Sequence, residues 1–396
     1  MVERLAMGID VGKQYLFYCL LSNDGEIVEQ GKVENTQDGF ELLSSFVAQN
    51  KAEIIFEATG VYSSRLQYFF ELNHFSYVRI NPLQAKKEMD TLRNTKNDKV
   101  DARKLALLQL QKSFQPTAIE DEVYRELRRR SRFYSEMTQE CANAKNRVQR
   151  LLEETFYTLP SVSNKDTLRF YEIAAVLPHV DYVKSKDSSE LLQMLKGISG
   201  YDKPKIKLIA RLQEISHHTA VAVNKDSWAV EELQYWANKV LELTALKEKI
   251  ISDMVHMAEP LSELQILESI PGIAKSTAVT LIAEIGDIRR FNTPQKLNAY
   301  IGIDLRFSDS GQLKTSGFIS KRGNSEARKE LYQIFLQIIM ADKQNELELT
   351  KWYKRRTKDM EYGKKKIIIG GMDRSLRLIH HLVMNEETFD KQQQLL

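Results

Sequence analysis

The sequence predicts an α/β domain built on a mixed sheet, followed by an all-α remainder. Strand and helix patterns alternate over residues 1–118, with short turns between them. From residue 119 the pattern becomes helical, and residues 119–157 contain neither Gly nor Pro. A third part begins near residue 263, where a Pro-Gly turn separates two helical segments. The sequence therefore indicates three parts, residues 1–118, 119–262 and 263–396.

The first part shows β-patterned runs separated by turn residues and by helical spacing. Thr36 is a candidate N-cap for the first helix, and Asp24-Gly25 is typical of a hairpin turn. Three strands in a meander, then alternating helices and strands, indicate a mixed sheet with helices packed on it. The predicted strands cover residues 5–11, 15–21, 26–33, a run that ends at Glu57, and the run before Asn81-Pro82; a helix is predicted over 61–73.

Two long helices are predicted in the middle of the chain, over residues 119–157 and 228–258. They bracket a less regular helical stretch, residues 160–227, and this order predicts an antiparallel coiled-coil arm with an insertion. Residues 267–287 then predict a helix-hairpin-helix, whose small residues leave backbone N–H groups accessible to a phosphate. A plain helical hairpin is the alternative for this segment.

Composition narrows the class of protein. The 396 residues are 42% hydrophobic and 28% charged, as in ordinary globular proteins, and no apolar run reaches the roughly 18 residues of a membrane span. Cys19 and Cys141 cannot form a disulfide framework or a zinc site, and the N-terminus lacks the layout of a signal peptide. His217-His218 and His380-His381 are expected to be structural or exposed, because no partner lies at metal-ligand spacing. We therefore expect a cytoplasmic protein with no membrane segment.

Positive charge is concentrated in two segments although the net charge is only +3. Residues 351–377 hold ten Lys and Arg against three Asp and Glu, and residues 125–150 hold eight against three. Such segments predict contact with polyanions over part of the surface, with a solvated charged face as the alternative.

Four acidic residues are placed where they can meet. Asp10 ends the first strand and Glu57 the fourth, so neighbouring strands can bring both side chains to one edge of the sheet. Asp98 and Asp101 lie about one helical turn apart, on one face. Such an oxygen-rich site suits Mg²⁺, and two ions about 4 Å apart can clamp an in-line displacement at phosphorus. Ordinary surface charge mixing is the alternative for the last two acids considered alone.

Seven motifs in order carry a family resemblance. "GIDVGK", "FEATGVY", "INPLQAKK" and "NTKNDKVDARKLA" resemble the RuvC-like (RNase H-fold) domain of the DEDD transposases of bacterial insertion sequences, which include bridge-RNA-guided recombinases. "ESIPGIAKSTAVTLIAEIGDIRRF", "KLNAYIGI" and "SGQLKTSGFISKRGN" resemble that family's C-terminal domain. The resemblance covers about residues 1–155 and 265–335. It implies that Asp10, Glu57, Asp98 and Asp101 are the DEDD acids and hold two Mg²⁺ ions.

The resemblance also implies a serine nucleophile that joins covalently to DNA. Ser310, which precedes Gly311, is the best match, and Ser320 and Ser308 are the competitors. Residues expected at the nucleic acid lie beside the acids, in the helix-hairpin-helix and after the serine, namely Lys13, Lys96, Arg103, Gly272, Lys275, Lys321, Arg322 and Arg328.

The implied partners are donor and target DNA, a structured bridge RNA, and further copies of the chain. In the resembling family, a homodimer or homotetramer combines acids from one protomer with serine from another, in a nucleoid-associated, cytoplasmic enzyme. Two other functions stay open from the sequence. One is an RNase H-like junction-resolving nuclease that uses water as the nucleophile, and the other is a nucleic-acid-binding protein without catalysis.

Overall fold

The computed structural model describes residues 4–58, 60–89, 97–198, 202–306, 309–310, 313–314, 318–344 and 346–390. The chain forms two compact units, Met1–Ile119 and Glu120–Leu396. The first is a mixed α/β unit and the second is predominantly helical. This confirms the predicted fold class, a mixed sheet followed by a helical remainder. The finer division into three parts stays a prediction.

The first unit is built on a five-stranded sheet in the order β3-β2-β1-β4-β5. Strands β1, β2 and β3 form the predicted antiparallel meander, whereas β4 and β5 run parallel to β1. The strands are β1 (Ala6–Val11), β2 (Tyr15–Leu21), β3 (Ile27–Glu34), β4 (Glu53–Glu57) and β5 (Tyr77–Ile80). The helices are α1 (Gln37–Asn50), α2 (Val61–Leu72), α3 (Pro82–Met89) and α4 (Asp98–Lys112). Thr36 caps α1 as predicted, because its side chain accepts the Gly39 N–H.

Side chains alternate between the two faces of this sheet. Met7 and Ile9 of β1 and Phe56 of β4 belong to the core that includes buried residues of α1 and α2. The intervening residues face the other way, where Ile55 packs with Leu105 of α4. The sheet is therefore covered by α1 and α2 on one face and by α4 on the other.

Gly8 allows α4 to lie directly on β1. A Cβ at this position would sit 2.1 Å from the carbonyl oxygen of Ala102 and 2.4 Å from the backbone N of Ala106. No larger residue fits without moving the helix, so the glycine in "GIDVG" sets how closely α4 approaches the strand that carries Asp10.

The second unit begins with two long antiparallel helices, α5 (Glu122–Thr155) and α10 (Trp228–Ala258), close to the predicted bounds. Contacts between them run in opposite chain directions. Arg130 lies 3.6 Å from Asp253 near one end, and the Arg147 guanidinium stacks 4.0 Å from the centre of the Trp236 ring farther along.

The stretch between the long helices folds onto one end of the pair. Phe156, Phe170 and Leu177 share a buried core with Val148 of α5 and Ala237 of α10. Its helices are α6 (Leu168–Val176), α7 (Asp181–Lys184), α8 (Ser188–Met194) and α9 (Asp202–His218), with 3-10 turns at Leu159–Ser161 and Leu195–Gly197. The region predicted as irregular and helical is therefore a helical cap with its own core.

The other end of the helix pair shares a core with the C-terminal helices. These are α11 (Ser262–Glu268), α12 (Lys275–Ile285), α13 (Pro294–Ile301), α14 (Ser325–Ala341), α15 (Glu348–Thr357) and α16 (Lys364–Asn385), with a 3-10 turn at Ile288–Arg290. Short strands β6 (Leu305–Arg306), β7 (Asp309–Ser310), β8 (Leu313–Lys314) and β9 (Phe318–Ile319) lie between α13 and α14. Pairing of β6 with β9 and of β7 with β8 makes them an antiparallel ribbon.

Several smaller features of the sequence can be assigned a structural setting in the described residues. Cys19 and Cys141 are buried free thiols. His380 is buried and its Nε2 donates to the Phe291 carbonyl at 2.7 Å, a structural role. Gly371 lies inside α16 at a position where a side chain would not fit, because a Cβ there would be 2.2 Å from the Phe335 ring. Across the described ranges, no helix is both long and apolar enough to cross a bilayer.

Candidate active site

Four carboxylates converge on the α4 face of the sheet. Asp10 and Glu57 continue the parallel register in which Ile9 pairs with Phe56, so they end adjacent strands. Both face α4, because side chains alternate and their neighbours Ile9 and Phe56 face the other core. The first turn of α4 supplies Asp98 and Asp101. Residues far apart in sequence are thus brought to one place by strand pairing and by the close packing of α4 on Gly8.

The electrostatics of Asp10 show how close these groups are. The pKa of the Asp10 carboxyl is raised to about 6, chiefly by burial and in addition by the charges of Asp98, Asp101 and Glu57. Burial and the charge of Asp101 also raise the pKa of Glu57. Asp10 therefore lies among like charges in a partly buried site, which is the condition that a bound cation relieves.

The first turn of α4 also has a structural reason to be acidic. Asn97 caps the helix by accepting the Lys99 N–H at 3.2 Å, and carboxylates at a helix N-terminus are favoured by the helix dipole.

Within the part of the chain that the structure describes, no three His, Cys, Asp or Glu side chains are already arranged around a metal position. The donors fit a hard divalent cation by their chemistry, since all are carboxylate oxygens.

Two residues near the acids, Lys104 and Asn35, were not predicted as site residues. Lys104 lies 3.7 Å from Asp101 with its side chain only 13% exposed, so it partly neutralises the cluster. Asn35 is buried and donates to the carbonyl oxygens of Gly12 at 2.9 Å and Tyr62 at 3.3 Å. It thereby joins the turn after β1 to the start of α2. The only sequence signal for Asn35 was a polar residue at the end of a strand.

The ribbon β6–β9 carries the predicted serines. Ser310 ends β7 and pairs with Leu313 of β8. Its side chain, and Ser308 altogether, lie outside the residues that the structure describes. Ser320 follows β9, and its hydroxyl donates to the Asp304 carboxylate in a short hydrogen bond.

The base of this ribbon is tied to α12 by a buried carboxylate. Glu284 is fully buried, and its Oε2 accepts from the Asn324 side chain at 3.0 Å. The Asn324 N–H in turn donates to the Tyr300 carbonyl at 2.8 Å, which joins the two ends of the ribbon. Sequence reasoning missed Glu284, because a single Glu in an apolar helix gives no signal of its partner forty residues away.

The predicted nucleic-acid-binding residues differ in their surroundings. Lys13, Arg103, Lys275, Lys321 and Arg322 are exposed, and Lys275 lies 4.0 Å from Glu268. Arg328 instead donates to the Ile301 carbonyl at 2.7 Å. Gly272 has a φ of +93°, and a Cβ there would meet the backbone of Gln337 at 2.7 Å, so internal packing already requires this glycine. Lys96 lies outside the described residues.

The fold and the acids together define a candidate site for metal-dependent phosphoryl transfer. Two family models match the chain. Residues 7–157 match the transposase model DEDD_Tnp_IS110, and residues 264–349 match the model of the IS116/IS110/IS902 transposase family. The chain belongs to this family of DEDD transposases, as the sequence motifs predicted. Membership in a DEDD family implies a divalent metal.

Curated relatives agree with the family. The chain is 22% identical over 331 residues to the transposase of insertion sequence element IS1111A from Coxiella burnetii, covering 80% of this chain and 73% of the relative. It is 25% identical over 201 residues to the pilin gene-inverting protein of Moraxella bovis. That match covers 47% of this chain and 59% of the relative, so it spans less than two thirds of the inverting protein.

Proposed function

We propose that this protein cleaves and rejoins DNA strands as the transposase of a bacterial insertion sequence, at a site built on Asp10, Glu57, Asp98 and Asp101. The observation that carries this proposal is the mutual electrostatic coupling of these acids on the α4 face. A protein that only binds nucleic acid gains nothing from an electronegative cluster beside phosphates. The relatives named above, a transposase and a gene-inverting protein, support the same class of activity.

The finer architectural assignments form part of this proposal. The strand order β3-β2-β1-β4-β5 supports an RNase H-like domain. The antiparallel pair of α5 and α10 supports a coiled-coil arm through which protomers assemble. The α11–α12 hairpin supports a helix-hairpin-helix, since α12 begins at exposed residues without a side-chain cap.

The acids are proposed to hold Mg²⁺. When bound between them, paired Mg²⁺ ions would supply Lewis acidity to the phosphate under attack. The chain's own residues prepare this site. Burial and the neighbouring acids hold Asp10 in an environment that disfavours its uncompensated charge, and Lys104 partly neutralises Asp101.

Ser310 is proposed as the nucleophile. Its oxygen would form a bond to phosphorus as one P–O bond of the DNA backbone breaks, and the serine proton would pass to the leaving oxygen. The exchange of one phosphodiester for another conserves bond energy, so rejoining can follow the same path in reverse. The observation that favours the rival Ser320 is its hydrogen bond to Asp304, which offers a carboxylate beside the hydroxyl.

The remaining partners follow from the family. We propose that a structured bridge RNA pairs with donor and target DNA, so that base pairing supplies sequence specificity while the protein contacts the backbone. The active protein is proposed to be a homodimer or homotetramer in the cytoplasm, associated with the nucleoid. Lys13, Lys96, Arg103, Lys275, Lys321, Arg322 and Arg328 are the proposed backbone contacts, with Gly272 in the helix-hairpin-helix.

The test is to trap a covalent adduct between the protein and end-labelled DNA carrying the element's own junctions, with the flanking noncoding RNA and Mg²⁺ present. We expect an adduct in the wild type and in Asp24→Asn, an exposed turn residue of the same unit, and none in Asp10→Asn. The adduct should disappear in Ser310→Ala and persist in Ser308→Ala and Ser320→Ala.

Three outcomes would contradict parts of this proposal. An adduct that is lost only in Ser320→Ala would transfer the role of nucleophile to Ser320. Full strand cleavage by Ser310→Ala, without any adduct in the wild type, would indicate a nuclease that uses water. Absence of any Mg²⁺-dependent cleavage or joining would favour a nucleic-acid-binding protein without catalysis.

A further inference from the structure

The two basic segments of the sequence, residues 125–150 and 351–377, have different surroundings in the folded chain. In the first, arginines of α5 are paired with acids: Arg128 lies 2.5 Å from Glu120, and Arg130 lies 3.6 Å from Asp253. Arg132 approaches the buried Glu284 at 4.0 Å. These three arginines are therefore paired with acids of the same unit.

The second segment forms an exposed basic corner, residues 351–366, where α15 ends and α16 begins. It contains eight Lys and Arg against two acids. Lys351, Lys354, Arg355 and Lys358 follow the spacing of one helical face, and all are exposed. Lys351 pairs with Glu348 at 2.7 Å. Lys364, Lys365 and Lys366 then open α16 and are also exposed.

The opposite face of α15 is anchored in the core. Leu349 and Thr350 are buried, and the Tyr353 ring packs edge-on against Phe335 at 5.5 Å between ring centres. The Trp352 ring lies under the Arg374 guanidinium at 4.7 Å. The cations of the basic corner are therefore held on the surface by folded structure, and their positions relative to one another are set by two helices.

This arrangement of charge is unfavourable in isolation. Lysines in the first turn of a helix face the positive end of the helix dipole, which normally favours acids. The first turn of α16 contains Lys364, Lys365 and Lys366 and no acid, and Gly363 before it provides no side-chain cap. Repulsion among these cations destabilises the corner, and a polyanion lying across it would remove that repulsion.

An aromatic ring lies within the same corner. Tyr362 is 85% exposed and lies between Lys358 and Lys364 in the sequence. Cations that follow a phosphate backbone, together with an exposed ring on which a base can stack, are the elements of sites for single-stranded nucleic acid. Duplex DNA offers phosphates to the cations but no unstacked base to the ring.

We propose that the basic corner binds single-stranded DNA, with its Lys and Arg side chains on the phosphates and Tyr362 stacked on one base. The corner lies outside both ranges that the family models match, residues 7–157 and 264–349. The proposal goes beyond the function proposed above, because it concerns binding alone and requires neither the acids nor the serine.

The first experiment measures binding of the full chain to a fluorescent oligodeoxynucleotide of unrelated sequence, over a range of salt concentrations. The variant Lys364→Gln/Lys365→Gln/Lys366→Gln removes three cations from the corner. Each lost phosphate contact lowers the slope of log K against log salt by about 0.7 for single strands, so a decrease of about 2 is expected.

A matched control removes the same charge elsewhere. The variant Lys165→Gln/Lys225→Gln/Lys249→Gln changes three exposed lysines outside the corner. Its slope should equal that of the wild type. Equal slopes for the two triple variants would overturn the proposal, since the effect would then reflect net charge alone.

The second experiment tests the ring. Tyr362→Ala should weaken binding of the single strand about tenfold or more and leave duplex binding nearly unchanged, whereas Tyr362→Trp should retain the affinity. A 5-iodouracil oligonucleotide should photocrosslink to Tyr362. Equal losses on single strand and duplex, or no loss at all, would overturn the stacking. A strong preference for RNA of the same sequence would assign the corner to RNA instead of DNA. None of these measurements depends on strand cleavage.

Discussion

Replacing Asp10 by Asn should make the metal-free protein more stable while abolishing its activity. The folded protein holds the pKa of this carboxyl at about 6, above its ordinary value of 3.8. A folded-state pKa above the unfolded one means that ionisation opposes folding. The cost is absent below about pH 4, grows as pH rises toward 6, and is fully present above that.

The size of the effect follows from the pKa. At about 1.36 kcal/mol per pKa unit, an increase from 3.8 to about 6 corresponds to about 3 kcal/mol. Asp10 is only partly buried, and water screens charges at such a site, so we expect the variant to be more stable by about 1–2 kcal/mol at neutral pH. Asn keeps the shape of the side chain and removes only the charge.

The assay is urea unfolding without divalent cations, read by hydrogen exchange in peptides from β1 and α4 so that the first unit is measured on its own. The control is the variant Asp24→Asn. Asp24 is exposed in a turn with Gly25, and Asn-Gly suits such a turn as well as Asp-Gly does. Adding Mg²⁺ at about ten times its dissociation constant should stabilise the wild type and the control by about 1.4 kcal/mol, and Asp10→Asn much less.

Two results would refute this reasoning. One is an Asp10→Asn protein no more stable than the wild type above pH 6, which would mean that neither burial nor the neighbouring acids oppose the charge of Asp10. The other is a stability difference that persists unchanged below about pH 4, where the carboxyl is protonated in both states and its charge cannot contribute.

Three further predictions test the packing around the two candidate sites. Gly8→Ala should destabilise the first unit by about 3 kcal/mol in the same urea assay, because its Cβ would sit 2.1 Å from the Ala102 carbonyl oxygen. Gly197→Ala lies in the second unit and its Cβ would meet no atom within 4 Å, so it should be nearly neutral when peptides of that unit are followed. Gly371→Ala should lower the stability measured by thermal unfolding by about 2 kcal/mol, because the new Cβ would clash with the Phe335 ring. Adding Phe335→Leu to the same chain removes that ring and should recover part of the loss. Glu284→Ala should remove one of the two Glu284 oxygens to which the Asn324 side-chain amide donates, lower stability by about 2 kcal/mol and speed hydrogen exchange of the Ser320 and Lys321 amides; unchanged exchange would contradict the anchoring role.

Local patterns explain why so much of the fold was predictable. Alternation in β1 to β3 and the absence of Gly and Pro in α5 are properties of neighbouring residues, and both predicted the observed elements to within a few positions. The meeting of Asp10 with Glu57 was predictable because the ends of adjacent strands share one edge. Ion pairs between residues far apart in the sequence were not predictable, because they form only when the chain folds. The arginines of α5 predicted a polyanion-binding segment. Arg132, however, forms an ion pair with Glu284, which lies more than one hundred residues away in the sequence.

One contact links the fold of the first unit to its proposed chemistry. Because Gly8 has no side chain, α4 packs directly on β1, and its first turn comes to lie beside Asp10. The packing is favourable, whereas the convergence of charges that it causes is not. A chain selected for stability alone would carry an uncharged residue at the end of β1 at no cost to the strand. The retention of an ionisable group whose neighbours oppose its charge is therefore best explained by a ligand that compensates it, and the response of stability to Mg²⁺ in Asp10→Asn measures that compensation directly.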